Sequence, residues 1–161
     1  PPITFLCKFE TKKSAMYTFF KLFHSGLRFV VLILVLVAII QSLAGWLGKK
    51  PYTETNRKIN LFAMLSAHIQ LLVGLILYFV SPLVQFNSST MQNPTTRYWT
   101  VEHIFMMIFA IALITVGHSK SKKETTDAGK HRYIALMYIL AVVVILAAIV
   151  QSQRPIFGIT G

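Results

Sequence analysis

Hydrophobic and polar positions in this chain are segregated into long blocks. Four stretches, Phe29–Leu47, Leu61–Ser81, Tyr98–Gly117 and Tyr133–Val150, are apolar with few interruptions. A helix rising 1.5 Å per residue crosses the roughly 30 Å hydrocarbon layer in about 20 residues, which is the length of each stretch. Strands of a membrane barrel are about half as long and alternate polar with apolar positions, and these stretches do not alternate. With the flanking residues that continue each pattern, spans are predicted at about residues 20–47, 60–81, 98–119 and 131–152. The linkers GKKPYTETNRK, PLVQFNSSTMQNPTTR and HSKSKKETTDAGKHR are short and polar. Short linkers make successive helices antiparallel neighbours. The expected fold is therefore an all-α integral membrane protein, an up-down bundle of four transmembrane helices. Trp46, Tyr98 and Trp99 stand at the ends of these stretches, where aromatic side chains collect at the bilayer surface.

The first 15 residues fall outside the pattern. PPITFLCKFETKKSA has neither clear helical periodicity nor the apolar centre of a signal peptide, whereas the segment from Met16 runs smoothly into the first span. The chain thus divides into an N-terminal extension, residues 1–15, a membrane domain over residues 16–155, and a short tail, residues 156–161. No internal repeat is evident.

Composition agrees with a membrane setting. The residues AVILMFWYC make up 55% of the chain and charged residues only 13%, against about 25% charged in soluble domains. A soluble domain of this size could not be covered with so few polar groups. The single cysteine, Cys7, excludes an internal disulfide, and no Cys/His zinc spacing occurs. The net charge of +11 sits beside the apolar stretches and not on one basic face, so it reads as a topology signal and not as a nucleic-acid surface. Lys49, Lys50, Arg57 and Lys58 occupy the first linker, and Lys120, Lys122, Lys123, Lys130 and Arg132 the third. The second linker has Arg97 alone and the tail Arg154 alone. The positive-inside rule then predicts cytoplasmic first and third linkers, with both termini periplasmic in a bacterial inner membrane. Lys8, Lys12, Lys13 and Lys21 oppose this bias unless the extension is set apart.

Ionisable groups inside a span are costly, so each is a candidate functional residue. They are His24 and Arg28 in helix 1, His68 in helix 2, and Glu102 and His103 in helix 3, with His118 at the far end of helix 3. His131, between Lys130 and Arg132, is expected to be solvated. His24 and His103 both lie near the outer ends of their helices, at nearly one depth. Helices 1 and 3 are diagonal in an up-down bundle, with axes roughly 13 Å apart. Each imidazole reaches roughly 6 Å from its Cα to a bound metal, so the pair can hold an iron on the bundle axis, as in bis-histidine haem sites. Arg28, one turn after His24, together with Lys21, Arg97 and Arg154, would face the anionic haem propionates. Those outer cations also suit plain interfacial anchoring.

A second site is open to two pairings. His103 and His118 are about 22 Å apart along one helix, the spacing of stacked two-haem cytochromes, with His68 as partner for His118. His68 and Met137 match better in depth, and His/Met ligation is known haem chemistry. His68 alone fits a helix–helix hydrogen bond, and Met137 fits ordinary core packing. Glu102 fits three roles: an orienting group, a proton acceptor from a quinol, or a group reaching the outer interface. His103 with Met106 and Met107 presents donors suited to copper(I).

The stretches FHSGLRFVVLILVLVAIIQS, KKPYT, AHIQLLVGLILYFVSP and RYWTVEHIFMMIFAIALITVGHSKSKK resemble the small bacterial four-helix membrane proteins of the cytochrome b and cytochrome b-like kind. HIQLLVGLILY is also similar to the helices of haem A synthase that carry a histidine followed by Leu-Gly. The resemblance covers about residues 16–155 and rests on His24 before GLR, His68 in HxQ, and Glu102–His103. It implies haem b; with the histidine pairings above, the expected cofactors are one haem b, or two if the second site is filled, and a quinone.

The expected function is one-electron transfer linked to the quinone pool or a respiratory partner, as a subunit and not as a stand-alone enzyme. The expected partners are the lipid bilayer and other membrane subunits or further copies of the chain, with no nucleic acid. A haem-free subunit or scaffold of a larger respiratory or transport complex is the alternative, and a His/Met metal or solute carrier a third. No nucleophile elbow, phosphate-binding loop or HExxH motif is present.

Overall fold

The computed structural model describes residues 2–152, with side chains from Lys12 onward. Four long helices follow one another: α1 Pro2–Leu47, α2 Glu54–Val80, α3 Pro94–Lys123 and α4 Asp127–Gln151. All four are long and apolar enough to cross a membrane, and the described residues contain no strand. The chain is a multi-pass membrane protein of four-helix-bundle form. α1 packs along α2 and α4, and α3 along α4 and α2, so α1 and α3 are diagonal.

The polar linkers start the helices earlier than the apolar stretches alone suggest. Thr53 caps α2 in a reciprocal box with Asn56, accepting from its backbone N–H at 3.3 Å. Asn93 caps α3 through the Thr95 and Thr96 amides, ahead of Pro94. Thr126 caps α4 through the Gly129 amide at 3.1 Å.

The N-terminal extension departs from expectation. Helix α1 is continuous from Pro2 and has 46 residues, about 69 Å at 1.5 Å each and far more than a bilayer needs. Residues 12–16 are exposed, and Tyr17 is the first of the described α1 side chains to line the interior. The helix therefore projects beyond the bundle. A span already formed removes the nucleation cost, so adjoining residues of ordinary propensity propagate it. The tail 156–161 and Arg154 lie outside the described residues.

The core runs along the bundle axis. Val31, Val35, Ala38, Ala63, Ala67, Ala110, Ile114, Ile134, Tyr138 and Ala141 are buried together. Alanines at the crossings let the backbones approach, as helix association in lipid requires. Phe19, Ile40, Leu72, Phe105 and Val150 point outward and are exposed, a surface suited to lipid and not to water. Near one end a polar layer joins three helices. The Gln41 amide donates to Asn60 Oδ1 at 2.8 Å, Asn60 donates to the Tyr52 hydroxyl at 2.9 Å, and the Tyr138 hydroxyl donates to the Asn60 carbonyl at 3.0 Å.

Candidate functional site

At the other end of the bundle a cleft opens among all four helices. His24, Arg28, Gln70, Gly74, Tyr98 and His103 line it, together with Lys21 and Tyr17, and Leu71, Leu75, Ile104 and Met107 are among its apolar walls. Its volume is about 180 Å³, below the roughly 300–1,000 Å³ of ordinary ligand pockets. A large ligand would therefore enter only with lining side chains turned aside.

His24 and His103, on diagonal helices, meet here. Their ring centres are 6.5 Å apart, with planes at 74°. Each ring is positioned by its surroundings. Gln70 donates to the His24 backbone carbonyl at 2.9 Å. Gly74 gives the His24 ring its room, because a Cβ there would stand 3.0 Å from Cε1. His24 Nδ1 is buried with no hydrogen-bond partner, a cost that a ligand could relieve.

His103 sits just after a π-helical turn, Tyr98–Glu102. Such turns add one residue to the helical ladder and often mark functional positions. This one places Tyr98 and His103 side by side. The Tyr98 hydroxyl donates to the Ala148 carbonyl at 2.5 Å, so its oxygen receives the His103 Nδ1 proton at 3.3 Å. That tautomer leaves the lone pair on Nε2, the arrangement of a metal-ligating histidine supported by a second residue. Trp99 packs its ring against His103 at 5.2 Å. The turn also presents the Thr100 carbonyl to the Tyr78 hydroxyl at 2.7 Å, and the Thr100 hydroxyl receives the Gln85 amide at 3.1 Å. The α2–α3 loop is thereby fastened over the cleft, and its Leu83 and Val84 line the cleft wall.

Tyr98 was expected at the bilayer surface with Trp46 and Trp99. It is instead buried, and it anchors α3 to α4 through Ala148. Arg97 and Glu102 pair with each other at 2.7 Å, and Gln151 also donates to Glu102. Their charges are thus largely answered within the protein. Lys21 lies over the Tyr17 ring at 5.6 Å, and Arg28 beside the Phe29 ring at 4.9 Å. Both line the cleft, as does Met107.

Comparison with protein-family models, with curated proteins and with solved structures finds no match in any of the three. The site is therefore read from its own geometry.

The remaining histidines lie elsewhere. His68 Nδ1 donates to the Met64 carbonyl at 2.8 Å, and Nε2 faces the Thr115 hydroxyl at 3.5 Å. Met137 packs on Gly117, where a Cβ would lie 2.7 Å from the Met137 Cβ. Positions 115 and 117 point about 200° apart on α3, so His68 and Met137 lie against different sides of that helix. His68 thus faces α3 at Thr115, whose hydroxyl donates to the Ile111 carbonyl at 2.7 Å. His118 is half-buried, and its Nδ1 has no hydrogen-bond partner. His131 corrects the expectation of a solvated ring, being 1% exposed.

Gln70, Gly74 and Tyr98 were not anticipated. Gln70 had a signal, since a glutamine within a span is as anomalous as a histidine. Of the two polar residues in HIQ, Gln70, pointing to the other side of α2 from His68, is the one that reaches the cleft. Among the described residues no three His, Cys, Asp or Glu side chains converge on a metal position. Two imidazoles are the available donor set.

Proposed function

We propose that this protein is a b-type cytochrome-like electron carrier of the bacterial inner membrane, with haem held by His24 and His103 near the periplasmic side. The observation that carries the reading is the 6.5 Å separation of the two ring centres. Two imidazoles sharing one iron, each through a nitrogen at roughly 2 Å, have centres about 6 to 6.5 Å apart. The unpartnered His24 Nδ1 and the room left by Gly74 support the same fit.

When bound, the haem supplies a one-electron couple. The chain's own residues provide the rest. Tyr98 fixes the tautomer and aim of His103. Gln70 ties α1 to α2 at the level of His24. Arg28 and Lys21 are the cations that line the cleft and suit propionates. The fastened α2–α3 loop limits water. A quinone is the matching redox partner within the bilayer, and other membrane subunits or further copies of the chain complete the pathway. The Arg97–Glu102 pair favours a second reading, a haem-free subunit of a larger complex, because it satisfies charges that a cofactor would otherwise meet.

The test is a reduced-minus-oxidised visible spectrum of the purified protein in detergent, with pyridine haemochrome quantification. The expected result is a b-type spectrum with about one haem per chain. Absence of Soret absorbance from protein made with adequate haem supply would leave the scaffold reading standing. The orientation has its own check. Reporter fusions after Lys50 and Lys123 are expected to report cytoplasm, and one after Asn87 periplasm. A cytoplasmic signal at Asn87 would move the His24/His103 end to the other side of the membrane.

A further inference from the structure

His131 is a deeply buried ionisable group at the opposite end of the bundle. It is 1% exposed, and neither ring nitrogen has a hydrogen-bond partner. A neutral imidazole always carries one donor and one acceptor, so leaving both unanswered costs free energy that a bound group would recover. The ring is held in place. It packs against Tyr52, with centres 4.9 Å apart, and against the backbone of Gly45, where a Cβ would stand 2.3 Å from Cε1 and Nε2.

This ring lines a pocket of about 340 Å³ with Gln41, Lys50, Thr53 and Asn56. Most of the polar groups there are used up. Asn56 donates to Gln41 Oε1 at 3.0 Å, Gln41 donates to Asn60 Oδ1 at 2.8 Å, and the Thr53 hydroxyl donates to Asn56 Oδ1 at 2.7 Å. What remains is His131 and the Lys50 ammonium, for which the described residues supply no ion pair. Lys50 is set at the pocket by the end of α1. Lys49 takes a left-handed φ of 49°, the Lys49 amide bonds the Trp46 carbonyl, and the Lys50 amide bonds the Gly45 carbonyl at 2.9 Å. This is a Schellman closure, which turns the chain back over Gly45.

The surrounding charge is net basic, with Glu54, Glu124 and Asp127 outnumbered by lysine and arginine. Glu54 is taken by Arg57, and Asp127 pairs with Lys130 at 3.8 Å. Lys49, Lys50, Lys58 and Arg132 are left in excess around the same end. A lysine lining the same pocket as a buried imidazole, at the level where a helix end meets lipid headgroups, suits an oxygen-rich anion. We propose that the His131 pocket binds a phosphate group through Lys50 and His131, carried either by an anionic lipid headgroup or by free phosphate. The inference does not depend on haem at the other end.

The full-length protein in detergent is titrated with short-chain phosphatidylglycerol and, separately, with inorganic phosphate. Dioctanoylglycerol serves as the phosphate-free control, and native mass spectrometry counts bound molecules. One saturable phosphatidylglycerol is expected, weakened at least tenfold in both Lys50→Gln and His131→Gln, with dioctanoylglycerol indifferent to either change. Saturable binding of inorganic phosphate with the same sensitivity would identify the free anion as the source and support the proposal equally. Lys50 is exposed and outside the core, so Lys50→Gln keeps the test valid if His131→Gln fails to fold. Unchanged phosphatidylglycerol binding in Lys50→Gln, or no saturable binding of either phosphate probe to the wild type, would overturn the assignment.

Discussion

Replacing His103 with alanine is expected to abolish the Soret band of the purified protein while leaving its helical circular dichroism intact. His24→Ala is expected to do the same, because haem held by two imidazoles would lose half of its protein donors with either one. The two changes should act as one: the double variant should be no more depleted than either single. Tyr98→Phe removes only the group that receives the His103 Nδ1 proton, at 3.3 Å. Supporting residues of this kind typically contribute about 10–100-fold to metal affinity, so partial haem loss is expected there. His118→Ala and His68→Ala are expected to leave haem content unchanged, since neither side chain lines the His24/His103 cleft. A roughly halved haem content in His68→Ala, with the His24/His103 signal retained, would instead reveal a second site. A wild-type band in His103→Ala would remove that residue from the ligand set.

Gly117→Ala is expected to destabilise the bundle by about 1–3 kcal/mol, and Gly117→Leu by more. The added Cβ would lie 2.7 Å from the Met137 Cβ and 3.3 Å from the Tyr133 carbonyl oxygen. Neither is the far end of a flexible side chain, so relief requires α3 and α4 to separate. Those helices have the most extensive contact among the described residues, and in lipid close packing is a main part of what holds them together. Gly26→Ala is the matched control: a Cβ there meets nothing within 4 Å. It should be neutral or should stabilise α1, where alanine is the better helix former by up to about 1 kcal/mol. Thermal or denaturant unfolding in detergent reads both. In a double-mutant cycle Met137→Gly should lessen the cost of Gly117→Ala, because it removes the nearer clashing atom. Additive costs would show that the two residues do not share this contact.

The contrast between these two glycines marks what is legible in a membrane sequence. The amino-acid pattern by itself determined the four spans, because a bilayer demands about 20 apolar residues for each crossing. Through its short linkers it also determined the antiparallel order, and therefore the diagonal relation of α1 and α3 that brings His24 and His103 together. Other features were settled only when the helices packed. The continuation of α1 back to Pro2 follows from propagation out of an existing helix, which periodicity does not report. The π turn at Tyr98–Glu102 shifts the register by one residue, and that shift carries Tyr98 from an expected interfacial position to a buried hydrogen bond with Ala148. Gln70 and not His68 faces the cleft because adjoining positions on one helix point to different neighbours. His131, flanked by Lys130 and Arg132, reads as solvated until Gly45 and Tyr52 close around it. Hydropathy records how much of each helix avoids water. Which face meets which partner depends on rotation and approach distance, and these exist only in the tertiary structure.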